Sequence, residues 1–233
     1  LCSEANMGKM GDGYGSEFHL SEWLSKRQSD FNKNVAEKVR LSGASIEWTR
    51  HGSGSEWKGI DFLTPSPALE TQWSKFWPTG RGIHNWDAIG KVTGPGGPEW
   101  LLVEAKAHTN EILSDCKASN PDSIEMIQSA FLQVKNALGV DARNDWMHGC
   151  YQFANRLATL WFLHEQKIPA HLLFIYFTGD KRPVSPNSQW NHHCPADEEG
   201  WKDSLTKQGD LLGLPTSHLL SSRIHKLFLP TTA

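Results

Sequence analysis

Cysteine is scarce in this chain, positive charge is in the minority, and long apolar runs are missing. The four cysteines, Cys2, Cys116, Cys150 and Cys194, contain no Cys-x-x-Cys pair. That points away from a disulfide framework and towards the reduced thiols of a cytosolic protein. His192-His193-Cys194 offers soft-metal ligands, but adjacent residues make poor joint ligands and the surrounding Pro, Asn and Asp read as loop. A net charge of −3 argues against a protein that coats nucleic acid by bulk electrostatics. It leaves room for a local basic strip, for which Lys26, Arg27, Lys33, Lys38, Arg40, Arg50, Lys58, Arg81 and Lys91 are candidates. No stretch approaches the roughly 20 apolar residues of a membrane span. The first residues lack the charged-then-apolar layout of a signal peptide, so the expectation is a cytoplasmic protein with no membrane partner.

What is present suffices for one sizeable core. The 233 residues are 38% hydrophobic and 21% charged, a globular rather than a disordered balance. The expectation is one domain over 1–233, with 1–14 mobile and 180–233 a C-terminal elaboration. Eleven tryptophans supply large apolar faces that fill a core or stack on bases; filling a core is the commoner role.

Periodicity and breakers divide the chain. Gly15-Ser16-Glu17 opens a helix to Lys26, with Ser16 as cap and Glu17 in the first turn. A second helix, from Ser29 or Asp30 to Leu41, carries the apolar stripe Phe31/Val35/Val39 and ends at Gly43. Short strands are expected at 45–50 and 59–63, and a helical piece holds Trp73 and Trp77. Asn120-Pro121 caps a helix with Ile124, Ile127, Phe131, Val134 and Leu138 on one face and Gly139 as its stop. A long helix spans roughly 146–166, an apolar strand 172–177, and a short helix 201–208, with a strand near 226–229. This order suggests an α/β or α+β sheet flanked by helices.

The segment richest in chemistry is Asn85-Trp86-Asp87-Ala88-Ile89-Gly90-Lys91-Val92, then a Gly/Pro turn, then Glu99-Trp100-Leu101-Leu102-Val103-Glu104-Ala105-Lys106. It reads as a β-hairpin. Glu104 and Lys106 share a face because side chains alternate. Symmetric pairing about the turn sets Asp87 opposite Glu104. Two like charges so placed repel, and a cation between them relieves the repulsion. Two carboxylates suit Mg²⁺, which keeps waters and takes phosphate oxygens. The plainer reading is a surface ion pair between Glu104 and Lys106; Glu56-Trp57-Lys58 is a second Glu-x-Lys, which no apolar run leads into.

Asp87 followed by Glu104-Ala105-Lys106 at the end of an apolar strand resembles the PD-(D/E)XK nuclease superfamily, also called restriction-endonuclease-like. The wider segment from Phe76-Trp77-Pro78 to Ala107-His108, with Tyr151–Ala158 and Leu172–Asp180, looks like uncharacterised bacterial members of that group. Trp86 stands where the motif name has Pro. The resemblance implies an αβββαβ core with a central mixed β-sheet flanked by helices. It also implies a Mg²⁺-dependent nuclease acting on DNA, with Mn²⁺ able to substitute.

Under that resemblance Asp87, Glu104 and the backbone carbonyl of Ala105 are the metal ligands. Lys106 orients or deprotonates the attacking water, or stabilises developing charge; a lysine in a desolvated cleft can have a lowered pKa. A further glutamate from the first helix is expected at Glu17, with Glu37 in reserve. Gln152, Asn155, Arg156 and Thr159 follow i, i+3, i+4, i+7 and share a helix face. The first three, with His108, are the candidate substrate contacts. Two alternatives stand beside the nuclease: a catalytically inactive nucleic-acid- or protein-binding module on the same fold, and a metal-dependent hydrolase of a smaller phosphate ester.

Overall fold

Strand pairing around the Pro95–Gly96 turn organises the molecule. The computed structural model describes residues 13–41, 43–49, 57–80, 83–180 and 195–231. The expectations for residues 1–12, Arg50, Glu56, Arg81 and His192-His193-Cys194 lie outside the described residues. The chain runs α1 (Ser16–Lys26), α2 (Gln28–Lys38), β1 (Ser45–Trp48), β2 (Trp57–Lys58), α3 (Pro67–Phe76), β3 (Asn85–Trp86), β4 (Ala88–Gly94), β5 (Gly97–Lys106), α4 (Pro121–Leu138), α5 (Tyr151–Glu165), β6 (Ala170–Thr178), α6 (Lys202–Leu212) and β7 (Ile224–Pro230). This is an α+β fold with a five-stranded mixed sheet flanked by helices, in the order β1-β4-β5-β6-β7. β1, β4 and β5 pair antiparallel, while β5, β6 and β7 run parallel. A small second sheet joins β2 to β3.

Each face of the central sheet buries a separate core. On one side Leu101, Val103, Ala105, Leu173, Ile175 and Leu227 meet Leu20 and Trp23 of α1 and Phe31 and Val35 of α2. On the other, Leu102, Leu172, Phe174 and Tyr176 meet α3, α4, α5 and the Trp201–Leu212 region. Alternation of side chains along β5 therefore sends Ala105 to the α1/α2 face and its neighbours Glu104 and Lys106 to the α4/α5 face. Each fully buried Val, Leu or Ile contributes about 1.5–3 kcal/mol, which fixes the register against a one-residue slip.

Local chemistry explains several boundaries. Asn120 caps α4 by accepting hydrogen bonds from the N–H groups of Asp122 and Ser123, and Gly139 ends the helix at φ 73°. Gly90 lies under Trp48 of the neighbouring strand, where a Cβ would come within 2.8 Å of the indole ring. Among the described residues six tryptophans (23, 73, 77, 86, 146 and 201) are buried.

Some boundaries depart from expectation. Gly15, not Ser16, caps α1. The second helix stops at Lys38, and Arg40 at φ 61° makes the reversal expected of Gly43. Residues 61–63 form a 3-10 turn, and the short strand lies at 57–58. The long helix begins at Tyr151, because Gly149 at φ 75° and the bridge between Ser114 and Cys150 hold 146–150 out of helical geometry. The segment expected as a C-terminal elaboration supplies β7, a strand of the central sheet. Among the described residues no helix is long and apolar enough to cross a membrane.

Candidate active site

A cleft of about 630 Å³ opens where β5 ends, and Asp87, Glu104, Ala105 and Lys106 all line it. The hairpin pairs Ala88 with Val103 and Gly94 with Gly97, the register that brings position 87 to position 104. Asp87 is held twice. Its N–H donates to the Val103 carbonyl at 3.2 Å, and its Oδ2 accepts from the Ala105 N–H at 2.6 Å. Ala105 thus meets Asp87 through its N–H. The preceding residue, Trp86, is buried and donates from Nε1 to the Gly59 carbonyl at 2.8 Å, so the position before Asp87 is a packing anchor.

Glu104 and Lys106 are also buried, at 2% and 6% exposure. The Lys106 ammonium donates to Glu104 Oε1 at 2.5 Å. Arg156 of α5 approaches the other oxygen, with Nε 2.7 Å and Nη2 2.6 Å from Oε2. The same guanidinium donates to Asn155 Oδ1 and to the Asn85 carbonyl, both at 2.7 Å, and lies over the Trp86 ring. A buried carboxylate left alone is costly; two cations sharing it remove that cost.

Charge divides unevenly among these groups. Burial alone would raise the Glu104 pKa, but Arg156 and Lys106 outweigh it and hold the carboxyl below its ordinary value. Lys106 is raised despite burial, because Glu104, Glu111 and Asp87 surround it. That direction favours the ammonium form of Lys106 among the roles left open by the sequence. Asp87 is densely surrounded by protein yet exposed towards the cleft. Removal from bulk water, then the Glu104 charge, push it up to about 7, against the pull of Lys106, the Ala105 N–H and Arg156.

The remaining candidates separate. Gln152, Asn155 and Arg156 line the cleft, although Arg156 is committed to Glu104. Thr159 is buried below it against His84, with 3.1 Å between Oγ1 and Nε2. His108 does not line the cleft. β5 ends at Lys106, so the strand alternation that put His108 on the Glu104 face no longer applies. Its Nε2 instead meets Asp180 Oδ2 at 3.1 Å, while His19 Nε2 and the Gly15 N–H reach the same carboxylate, each at 3.0 Å. Glu17 is exposed on α1 and is not among the cleft residues, and Glu37 is exposed on α2.

The carboxylate that does come from this side is Glu111, which the sequence reading missed. Glu111 lines the cleft and accepts from the N–H groups of Ala107 (3.2 Å) and His108 (2.9 Å) through Oε1. Its Oε2 accepts from the Ser16 hydroxyl at 3.2 Å. The spacing His108-x-x-Glu111 is the available signal, since a Glu three residues after a cap position reaches back to the cap N–H. Ser114 completes the wall: its Oγ accepts from the Gln152 N–H at 2.8 Å and its carbonyl from the Tyr151 N–H at 3.0 Å.

Among the described residues no three His, Cys, Asp or Glu side chains converge as a metal cage. Asp87 has one oxygen beyond its Ala105 bond, and Glu104 Oε1 has a lone pair beyond Lys106. Two such carboxylates fit an Mg²⁺ ion that draws the rest of its shell from water and substrate oxygens. Comparison of the chain with protein-family profiles, with curated proteins and with solved structures finds no match.

Proposed function

We propose that this protein is a Mg²⁺-dependent nuclease that hydrolyses phosphodiester bonds in DNA, on a restriction-endonuclease-like core. The observation that carries the reading is the meeting of Asp87 with Glu104 and Lys106 in one cleft, locked by the 2.6 Å bond from the Ala105 N–H to Asp87. The order helix, three antiparallel strands, helix, parallel strand supports the fold assignment. Asp87 and Glu104 would hold the cation, which when bound supplies charge neutralisation and an activated water.

The chain's own residues then divide the work. In hydrolysis, a water oxygen bonds to phosphorus, one ester P–O bond breaks, and the departing oxygen gains a proton. Lys106, an ammonium, fixes Glu104 and offers positive charge to the phosphoryl oxygens as negative charge builds on them. Arg156 secures the other Glu104 oxygen, so the carboxylate is oriented before substrate arrives. Asp87, near 7, is the cleft carboxylate whose protonation changes around neutral pH. Gln152 and Asn155 offer amide groups to the substrate.

A second reading, a catalytically inactive binding module, is favoured by one feature: both Glu104 oxygens already carry a cation. Incubating the purified protein with end-labelled DNA, RNA and a small phosphodiester in Mg²⁺, Mn²⁺ or EDTA separates the readings. The nuclease reading expects divalent-dependent DNA cleavage that Lys106→Met lowers at least about 100-fold. Binding without turnover in either metal supports the module, and turnover of the small ester alone supports the phosphoesterase.

A further inference from the structure

A second, much smaller space adjoins the Glu104–Lys106 pair. This cavity has about 10 Å³ of room, which is enough for a single water molecule. Glu104, Lys106 and Gln152 line both the cavity and the cleft, so they form the partition between the two. Tyr176 of β6 and Gln208 of α6 also line the cavity, and the rest of its lining is apolar. Tyr176 is the partner of Lys106 in the parallel β5–β6 ladder, so both side chains rise from the same face of the sheet.

Two of these side chains are deeply buried polar groups. Tyr176 is 1% exposed and Gln208 5%. Gln208 shares the buried side of α6 with Leu212, a side where an amphipathic helix ordinarily places apolar residues. Among the described residues neither the Tyr176 hydroxyl nor the Gln208 amide has a hydrogen bond, whereas native proteins satisfy nearly all such groups with protein or ordered water. Burial, then the Glu104 charge, raise the Tyr176 pKa, so the hydroxyl keeps its proton and remains a donor. The Lys106 ammonium has N–H groups beyond the one given to Glu104 Oε1. One small cavity thus gathers donors from Lys106, Tyr176 and Gln208 and an acceptor in the Gln208 amide oxygen. A buried water, which makes about three hydrogen bonds, requires such a set.

We infer that the cavity holds one ordered water that accepts from Lys106 and Tyr176 and donates to Gln208, and that Tyr176 and Gln208 thereby act as positioning residues for the Lys106 ammonium. Because the water bonds to Lys106, the second lone pair of Glu104 Oε1 is left for the cleft. The positioning role rests on the nuclease reading; the water does not. The test pairs crystal structures of wild type, Tyr176→Phe and Gln208→Leu with steady-state DNA cleavage by the same proteins in Mg²⁺. The expected result is solvent density within hydrogen-bonding distance of Tyr176 Oη and the Gln208 amide in wild type, and its loss in Gln208→Leu. In each variant kcat falls at least about 10-fold, while KM stays within about twofold and circular dichroism shows the fold retained. A dry cavity in wild type, or wild-type kcat in either variant, overturns the inference and leaves the nuclease reading in place. Solvent density with no cleavage by wild type in Mg²⁺ or Mn²⁺ upholds the water site and removes the nuclease reading together with the positioning role.

Discussion

The Asp87 carboxylate receives the main-chain N–H of Ala105 at 2.6 Å, so the acid on one strand of the hairpin is clamped to the residue between Glu104 and Lys106 on the other. The site is consequently a property of the hairpin register, and any slip in pairing would dismantle it.

That clamp predicts a stability signature for Asp87→Asn. The carboxyl is raised to about 7 in the fold against about 3.9 in an unfolded chain. Its stabilising contribution is present below the lower value and is lost as pH rises through the higher one. Asn keeps an oxygen for the Ala105 N–H. The variant should melt higher than wild type at pH 8 in EDTA and lose that advantage at pH 4, as thermal unfolding at the two pH values will read.

Glu104 behaves in the opposite way. Removing it strands Lys106 and Arg156 in a buried site, so Glu104→Ala should lose about 3–5 kcal/mol in urea unfolding. Adding Arg156→Met to Glu104→Ala removes one of the stranded cations and should recover part of that loss. An additive double variant would contradict the pairing.

Of the glutamates near the start of α1, Glu111 lines the cleft and Glu17 does not. Glu111→Gln should slow DNA cleavage at least about 10-fold, because its carboxylate faces Lys106 and ties Ser16 to the strand end. Glu17→Ala should stay within about twofold. Single-turnover rates on one substrate compare them directly.

Asp180 is a structural lock. Burial would raise its carboxyl, but the hydrogen bonds from His108, His19 and the Gly15 N–H overcome this and hold it well below the usual range. A depressed carboxylate stabilises above its unfolded pKa of about 3.9, and that contribution is lost as pH falls. Asp180→Asn should cost about 1–3 kcal/mol at pH 7, with the difference shrinking towards pH 3. Chemical unfolding across that range is the measurement.

Much of this was legible because it rests on short-range rules. The Pro95–Gly96 turn centres the hairpin, so counting outward gives Asp87 opposite Glu104. Asn120-Pro121 and Gly139 bound α4 because caps are local chemistry. What escaped depends on distant neighbours. Ser16 reads as a cap, yet its hydroxyl turns to Glu111, ninety-five residues on. Strand alternation carries His108 to the Glu104 face only if β5 runs past Lys106, where it ends. Arg156 reads as a substrate contact until the Glu104 carboxylate is seen between it and Lys106. α5 starts at Tyr151 rather than near 146, because Gly149 at φ 75° breaks the helical path just before it.

The central claim is best tested by cleavage of end-labelled DNA by wild type and Asp87→Asn at pH 8, in Mg²⁺ and in EDTA, with the melting temperature of each sample measured alongside. The account predicts Mg²⁺-dependent cleavage by wild type alone, abolished by EDTA, while the variant remains folded and inactive. Cleavage at the wild-type rate by folded Asp87→Asn, or wild-type cleavage undiminished in EDTA, would contradict it.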